Sequence, residues 1–208
     1  MLKNIQQITT LFPEYEIWIY CGNDVPESYI NQYTSYPNVK LIHCPFTGGR
    51  LMVYRFFCID DPDVEVMITR DADSRFEKRD SWCISNFING THTLFTIRDH
   101  PWHGHAMMGG LSGFKKIDGM TMQAWYAEYI QTLTETQKDA YYCDQLFLEK
   151  YVYFRYKNEP GVFVAHTIRR FYDEVVQPIG QPRETPHDFC GNVVLFDDDG
   201  REYYEFSV

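Results

Sequence analysis

Residues 64–76 read VEVMITRDADSRF. An apolar run climbs from Val64 to Ile68 and then breaks into two aspartates, Asp71 and Asp73, with only Ala72 between them and Arg70 and Arg75 on either side. A short apolar run that ends in charge is the pattern of a buried strand reaching its carboxyl end. In open α/β sheets that end is where ligands bind. In extended chain, residues i and i+2 point to the same side, so Asp71 and Asp73 are expected to present two carboxylates together. Like charges at that distance repel, and one is pushed toward protonation unless a cation sits between them. Oxygen-only donors suit Mg²⁺ or Mn²⁺, which keep open positions for phosphate oxygens. The bland alternative is that Arg70 and Arg75 simply pair with the two aspartates.

Outward from this stretch the chain alternates. Helical patterns are expected over 2–12, 28–36, 50–59, 81–87, 121–133 and 135–150. Strand patterns are expected over 17–21, 39–44, 64–68, 94–98, 152–156 and 162–165, with a Gly-rich extended stretch at 107–114. A Pro-rich loop, 177–187, leads to a last hairpin, 193–196 and 202–206, around Asp199-Gly200. Helix and strand alternation predicts α/β with a central, mostly parallel mixed sheet flanked by helices, and a C-terminal β-hairpin. No internal repeat or linker interrupts it, so residues 1–208 are read as one domain.

Four of these strands are followed directly by polar residues: Asn23-Asp24, Asp71-Asp73, Asp99-His100 and His166. They are expected on one rim of the sheet. Two further acidic clusters, Asp61-Pro62-Asp63 and Asp197-Asp198-Asp199, cap a helix and form a turn, and only Asp71-Ala72-Asp73 follows an apolar strand in mid-chain. Asp144 stands out because it interrupts the apolar run AYYCDQLFL. The stretch HPWHGH offers His100, His103 and His105, but Pro101 and Gly104 mark a loop, so Trp102 and these histidines are expected to line a pocket rather than bind zinc.

Composition sets the outer limits. Of the 208 residues, 44% are hydrophobic, with 16 Tyr and 15 Phe, which is a globular composition. The formal net charge of −10 argues against nucleic acid as a partner, since phosphate backbones want a basic stripe. No apolar run is long enough to span a membrane, and the opening MLKNIQQITTLFP lacks the apolar core of a signal peptide. Six cysteines without a CxxC spacing read as reduced thiols of a cytoplasmic protein.

Three segments in order, YRFFCIDDPDVEVMITRDADSRF, FTIRDHPWHGHAMMGGLSGFKK and YYCDQLFL, resemble nucleotide-sugar glycosyltransferases of the GT-A (Rossmann-like) fold. The nearest likeness is to the glycosyltransferase domains encoded by chlorella-type algal viruses and their bacterial relatives. The resemblance covers roughly residues 50–150. It implies a UDP-sugar donor, Mn²⁺ or Mg²⁺ as cofactor, and transfer to a glycan or glycoprotein acceptor (a capsid glycan in the host cytoplasm, if the viral likeness holds).

Residue by residue, the resemblance implies that Asp71, Ala72 and Asp73 form the DxD segment at the metal and diphosphate. Arg55 faces the nucleotide. Gly109 and Gly110 lie close under the donor sugar. Asp144-Gln145 sits near the anomeric carbon, as in members that retain configuration; apart from the resemblance, the residues themselves offer Asp99, after its strand, as the second catalytic candidate. His166 is the implied third metal ligand, with His187 as its rival. The chain departs from the family in opening with a helix-like segment where a strand and loop should clasp the base, and its abrupt end at Val208 leaves open the expectation of one domain of a longer protein. Two other function classes compete. DADS is similar to the nucleophile loop of haloacid-dehalogenase-type phosphatases, although no later G-D-x-x-x-D follows. A non-catalytic nucleotide-sugar-binding module of the same fold is the other.

Overall fold

The structure is a computed structural model; it describes all residues except 46, 120, 167–169, 172, 207 and 208, and all remaining side chains except those of 159, 160, 162, 163 and 166. The architecture is mixed α/β. Five strands form the main sheet: β3 (Val66–Ile68), β4 (Leu94–Arg98), β5 (Ser112–Lys115), β6 (Val162–His166) and β7 (Val176–Gln177), in the order β3-β5-β4-β6-β7. β5 runs antiparallel to both β3 and β4, while β4, β6 and β7 are parallel. β3, β4 and β6 therefore point the same way, and their carboxyl ends share one rim with the residues that lead into β5.

β4 is buried along its whole length, as expected of a central strand with helices on both faces. On one face Phe95 stacks on Phe87 of α4 (Lys78–Asn89), ring centroids 5.0 Å apart, with Ile97, Cys83, Ile84 and Leu111 around them. On the other, Leu94, Phe114 and Met67 pack against Phe56, Phe147 and Val53. Val53 lies on α3 (Gly49–Tyr54), Phe147 ends α7 (Cys143–Phe147), and α5 (Met122–Gln131) covers that layer through Tyr126 and Tyr129. Full burial of such side chains stabilises the fold by about 1.5–3 kcal/mol each.

The remaining strands stand apart. β1 (Ile17–Cys21) pairs in parallel with β2 (Val39–His43), flanked by α1 (Leu2–Leu11) and α2 (Glu27–Tyr33), and neither joins the main sheet. The expectation of one central, mostly parallel sheet is corrected on this point. Between β1 and β3 lies a cavity of about 530 Å³, lined by α1, β1, β3 and Arg55. Its walls are two strand edges. Ile17 N–H donates to Asn38 O (2.8 Å) and Cys44 N–H to Cys21 O (2.8 Å), so by strand alternation Trp18 and Tyr20 turn their backbone groups away from β2. Likewise Thr69 N–H donates to Ser112 O (2.8 Å) and Lys116 N–H to Glu65 O (2.7 Å), which leaves those of Val66 and Ile68 facing away from β5. All four residues line the cavity.

Other expectations shift locally. Residues 152–156 are not a strand: a wide helix over Leu148–Tyr153 runs on into α8 (Phe154–Tyr156). The VYFRY run has strand-like composition, but Leu148, Val152 and Tyr153 are buried at helical spacing, and packing overrides propensity. The helix expected over 135–150 breaks after α6 (Glu135–Lys138), where Arg50 holds Asp139 through Nε (2.8 Å) and Glu135 through Nη2 (2.7 Å). The terminal hairpin forms as expected, β8 (Val194–Phe196) against β9 (Glu202–Tyr204).

Candidate active site

The loop after β3 is fastened on three sides. Arg70 pairs with Asp80 of α4 and donates to Arg75 O (2.8 Å). Arg75 pairs with Glu202 of β9 (2.5 Å), and Val194 N–H of β8 donates to Asp73 O (2.9 Å). From α1, Asn4 donates through Nδ2 to Ser74 O (2.5 Å) and accepts at Oδ1 from Phe76 N–H (3.2 Å). The two arginines that flank the aspartates are thus spent on bracing the loop, and neither pairs with Asp71 or Asp73. Residues 72 and 73 form a turn rather than extended chain, so strand alternation does not place the two carboxylates, although the Asp71 charge is felt at Asp73.

Arg55, just past α3, reaches this loop instead. Its Nη1 lies 2.5 Å from Asp71 Oδ1 and its Nη2 lies 3.1 Å from Asp144 Oδ2. One guanidinium therefore joins the end of β3 to the start of α7, residues far apart in sequence. Asp144 is almost wholly buried, with Oδ1 lacking a hydrogen-bond partner among the described residues. Burial pushes its carboxyl above the ordinary value, and the Arg55 charge pulls the other way. The Asp71 side chain is nearly half exposed. Asp73 is exposed and makes no ion pair among the described residues. The protein crowding one side of Asp73 raises its carboxyl, and the Asp71 charge raises it further.

Gly109 and Gly110 complete the group. They lie in the turn before β5, not in a strand. A Cβ on Gly109 would sit 2.1 Å from Asp144 Oδ2, and one on Gly110 would sit 1.9 Å from Asp71 Oδ2. The two carboxylates occupy the space that side chains would need.

Arg55, Asp71, Asp144, Gly109 and Gly110 are thus brought together; Asp73 adjoins them, and Gln145 follows Asp144, buried, with Oε1 unpartnered among the described residues. Ala72 is exposed in the turn. Asp99 takes a different place. It is fully buried, held by Arg79 (Nε 2.9 Å, Nη2 2.6 Å), Arg183 (2.9 Å) and Cys190 N–H (3.1 Å). Burial alone would raise its carboxyl, but these partners hold it below the ordinary value. His103 Nδ1 accepts from Asp99 N–H (3.0 Å), and His100 stacks on Phe189 (centroids 4.4 Å apart). The histidines therefore organise the loop after β4, while Trp102 stays largely exposed. His187 is engaged with Phe206 O (2.8 Å) and stacked on Tyr204. The side chain of His166 lies outside the described ones. What the sequence reading missed is the loop 139–142, which carries Tyr141 and Tyr142 to this rim. The only signal was their position beside Asp144.

The donor set suits a hard divalent cation: two carboxylates on a braced loop, both with exposed oxygen, repelling each other, with no sulfur or imidazole among them. No cluster of three or more His, Cys, Asp or Glu placed to hold a metal occurs among the described residues. A cation there would take its remaining ligands from water or from a bound anion. No family model, curated protein or solved structure matches this chain. None of the described helices is long and apolar enough to cross a membrane.

Proposed function

We propose that the chain is a GT-A-type, metal-dependent glycosyltransferase that moves a sugar from a UDP-sugar to a glycan or glycoprotein acceptor. The observation that carries this reading is the Arg55 clamp. It ties the aspartate loop at the carboxyl end of β3 to Asp144, against two glycines whose missing side chains leave the carboxylates room. Those are the positions the motif resemblance assigns to the donor, and they converge although nothing local in the sequence requires it. Asp71 and Asp73 would hold Mn²⁺ or Mg²⁺, which, when bound, neutralises charge growing on the leaving diphosphate. Arg55 orients Asp71 and Asp144, and its charge opposes the upward pull of burial on the Asp144 carboxyl. Asp144, desolvated beside that cation, is placed to stabilise a cationic sugar or accept the acceptor's proton. With Gln145 beside it, the reading leans to retention of configuration. The braces around Asp99 support an orienting role for it at the floor of the rim.

Thermal unfolding with UDP, GDP and CMP, each with and without Mn²⁺, tests the reading. A ligand at 100 times its Kd adds about 2.7 kcal/mol, on the order of 5–10 °C at this length. UDP with Mn²⁺ is expected to shift the midpoint, and UDP alone is not. An equal shift without metal overturns the bridging role of Asp71 and Asp73. Binding without sugar transfer identifies a binding module, and metal-dependent phosphate release from simple phosphomonoesters identifies a phosphatase.

A further inference from the structure

Tyr141 and Tyr142 are exposed aromatic residues, 71% and 51% accessible, on the loop between α6 and α7. Exposed aromatic surface is unfavourable in water, and a mobile loop would bury it. This loop is anchored at its start. Arg50 grips Asp139, and α3 packs so closely on it that a Cβ on Gly49 would meet Asp139 O at 2.6 Å. The Tyr141 and Tyr142 rings meet edge to face, 4.9 Å apart at 82°, and His105 lies 5.2 Å from the Tyr142 ring. The result is an aromatic corner on a loop anchored at Asp139. Tyr141 lies close enough to Asp71, Asp73 and Asp144 to feel their charges, so the corner adjoins the Arg55 clamp. The Tyr141 phenol is raised above its ordinary value by partial burial and then by Asp71, Asp73, Tyr142 and Asp144. It stays protonated and able to donate.

We propose that Tyr141 and Tyr142 form the acceptor platform, on which a neutral pyranose ring stacks its C–H face while its hydroxyls reach the carboxylates of the clamp. This inference rests on the glycosyl-transfer reading and names the acceptor chemistry of that site. An aromatic face beside hydrogen-bond acceptors suits a ring that is apolar on its face and rich in hydroxyls at its rim. The surrounding carboxylates repel an acceptor that carries phosphate or carboxylate at that position, and Arg55, the cation of the clamp, is already paired with two of them.

Saturation-transfer NMR with the methyl glycosides of glucose, galactose, mannose and xylose, alongside methyl glucuronide, tests it. At least one neutral glycoside is expected to receive saturation, strongest on the protons of one ring face. The signal should fall at least threefold in Tyr141→Ala, persist in Tyr141→Phe, and persist in Tyr29→Ala, an exposed tyrosine of α2. No saturation of any neutral glycoside, an unchanged signal in Tyr141→Ala, or glucuronide binding as strong as glucoside binding overturns the platform. Measured on the same samples, the UDP–Mn²⁺ thermal shift separates the two readings. A shift without glycoside contact sinks the platform and leaves sugar transfer standing, whereas glycoside contact without a shift sinks the donor reading and leaves a carbohydrate-binding surface.

Discussion

Gly110 lies against the carboxylate of Asp71 so closely that a Cβ at Gly110 would stand 1.9 Å from Oδ2. The turn before β5 is therefore closely fitted to the Asp71 side chain of the loop after β3. Gly110→Ala is expected to push Asp71 off its Arg55 contact and to lower stability by about 1–3 kcal/mol, the usual cost of overpacking. It should also abolish the metal-dependent UDP shift at ligand concentrations that saturate the wild type. Calorimetry with and without UDP–Mn²⁺ reads both effects. A variant with wild-type stability and an undiminished shift would show that this contact does not position the loop.

Arg55 is the shared cation of Asp71 and Asp144, and Asp144 is buried. Arg55→Met strands that carboxylate, which costs about 3–5 kcal/mol for a buried pair broken on one side. The sign with pH follows from the direction of the shift. The Asp144 carboxyl is already raised by burial, and without Arg55 it rises further. A raised acid is favoured protonated in the fold, so the contribution of Asp144 in the variant is fully present at low pH and is lost as pH climbs through the raised value. Arg55→Met with Asp144→Leu should recover much of the loss, since both charges are gone. Equal losses in the single and double variants, measured by urea denaturation, would argue against coupling.

Asp99 has a lowered carboxyl, so its contribution has the opposite sign. Burial opposes the charge, but Arg79, Cys190 N–H and Arg183 outweigh it. That stability is fully present above the ordinary value of 3.8 and is lost as pH falls through the lower folded value. Asp99→Asn leaves two arginines facing an amide, and a loss of about 3 kcal/mol or more at neutral pH is expected. Retention of wild-type stability in Asp99→Asn, followed by thermal melts from neutral to acid pH, would contradict the bracing role.

Much of this rim is legible in the sequence because each piece has a local signature. β3 announces itself as an apolar run broken by Asp71, β4 as the short run LFTIR before Asp99, and the hairpin as two short runs around Asp199-Gly200. Long-range pairing leaves no such trace. Nothing in the sequence says that Arg70 and Arg75 turn away to Asp80 and Glu202 while Arg55 takes Asp71. Nor does composition separate the strand-like VYFRY from a helix, since the deciding contacts come from α5 and Phe171. The parting of β1 from β3 is equally invisible, because each strand alone has the alternation of a sheet member.

The two strand edges that face the cavity make a prediction about backbone exchange. The amides of Trp18, Tyr20, Val66 and Ile68 point away from their sheet partners, whereas those of Ile19 and Met67 point toward them. Residue-resolved hydrogen exchange is expected to show the first four exchanging at least ~100-fold faster than the other two. Equal protection would mean that β1 and β3 are zipped together in solution, and the cavity would then be closed. Selective slowing on adding UDP–Mn²⁺ would show that ligand at the Asp71 end is sensed along both edges.

Asp73 carries the sharpest test of the metal reading. Its carboxylate is exposed, makes no ion pair among the described residues, and is raised by crowding and by Asp71. Asp73→Asn keeps the shape and removes one of two repelling charges. A raised acid costs stability when ionised, so the variant is expected to be as stable as the wild type or slightly more so at neutral pH. Activity should go the other way. Losing a ligand weakens the hold on the cation just as charge grows on the leaving diphosphate, and turnover is expected to fall at least ~100-fold, about 2.7 kcal/mol of transition-state stabilisation. Asp61→Asn supplies the control: Asp61 Oδ1 accepts from Asp63 N–H (3.0 Å) in an exposed turn, and turnover should change by less than about threefold. Titrating free Mn²⁺ by electron paramagnetic resonance in the presence of UDP checks the cause directly, because the same variant must bind the ion more weakly. If Asp73→Asn is folded, binds Mn²⁺–UDP as the wild type does and transfers sugar at limiting metal, the aspartate loop is an anchored turn and not a metal site.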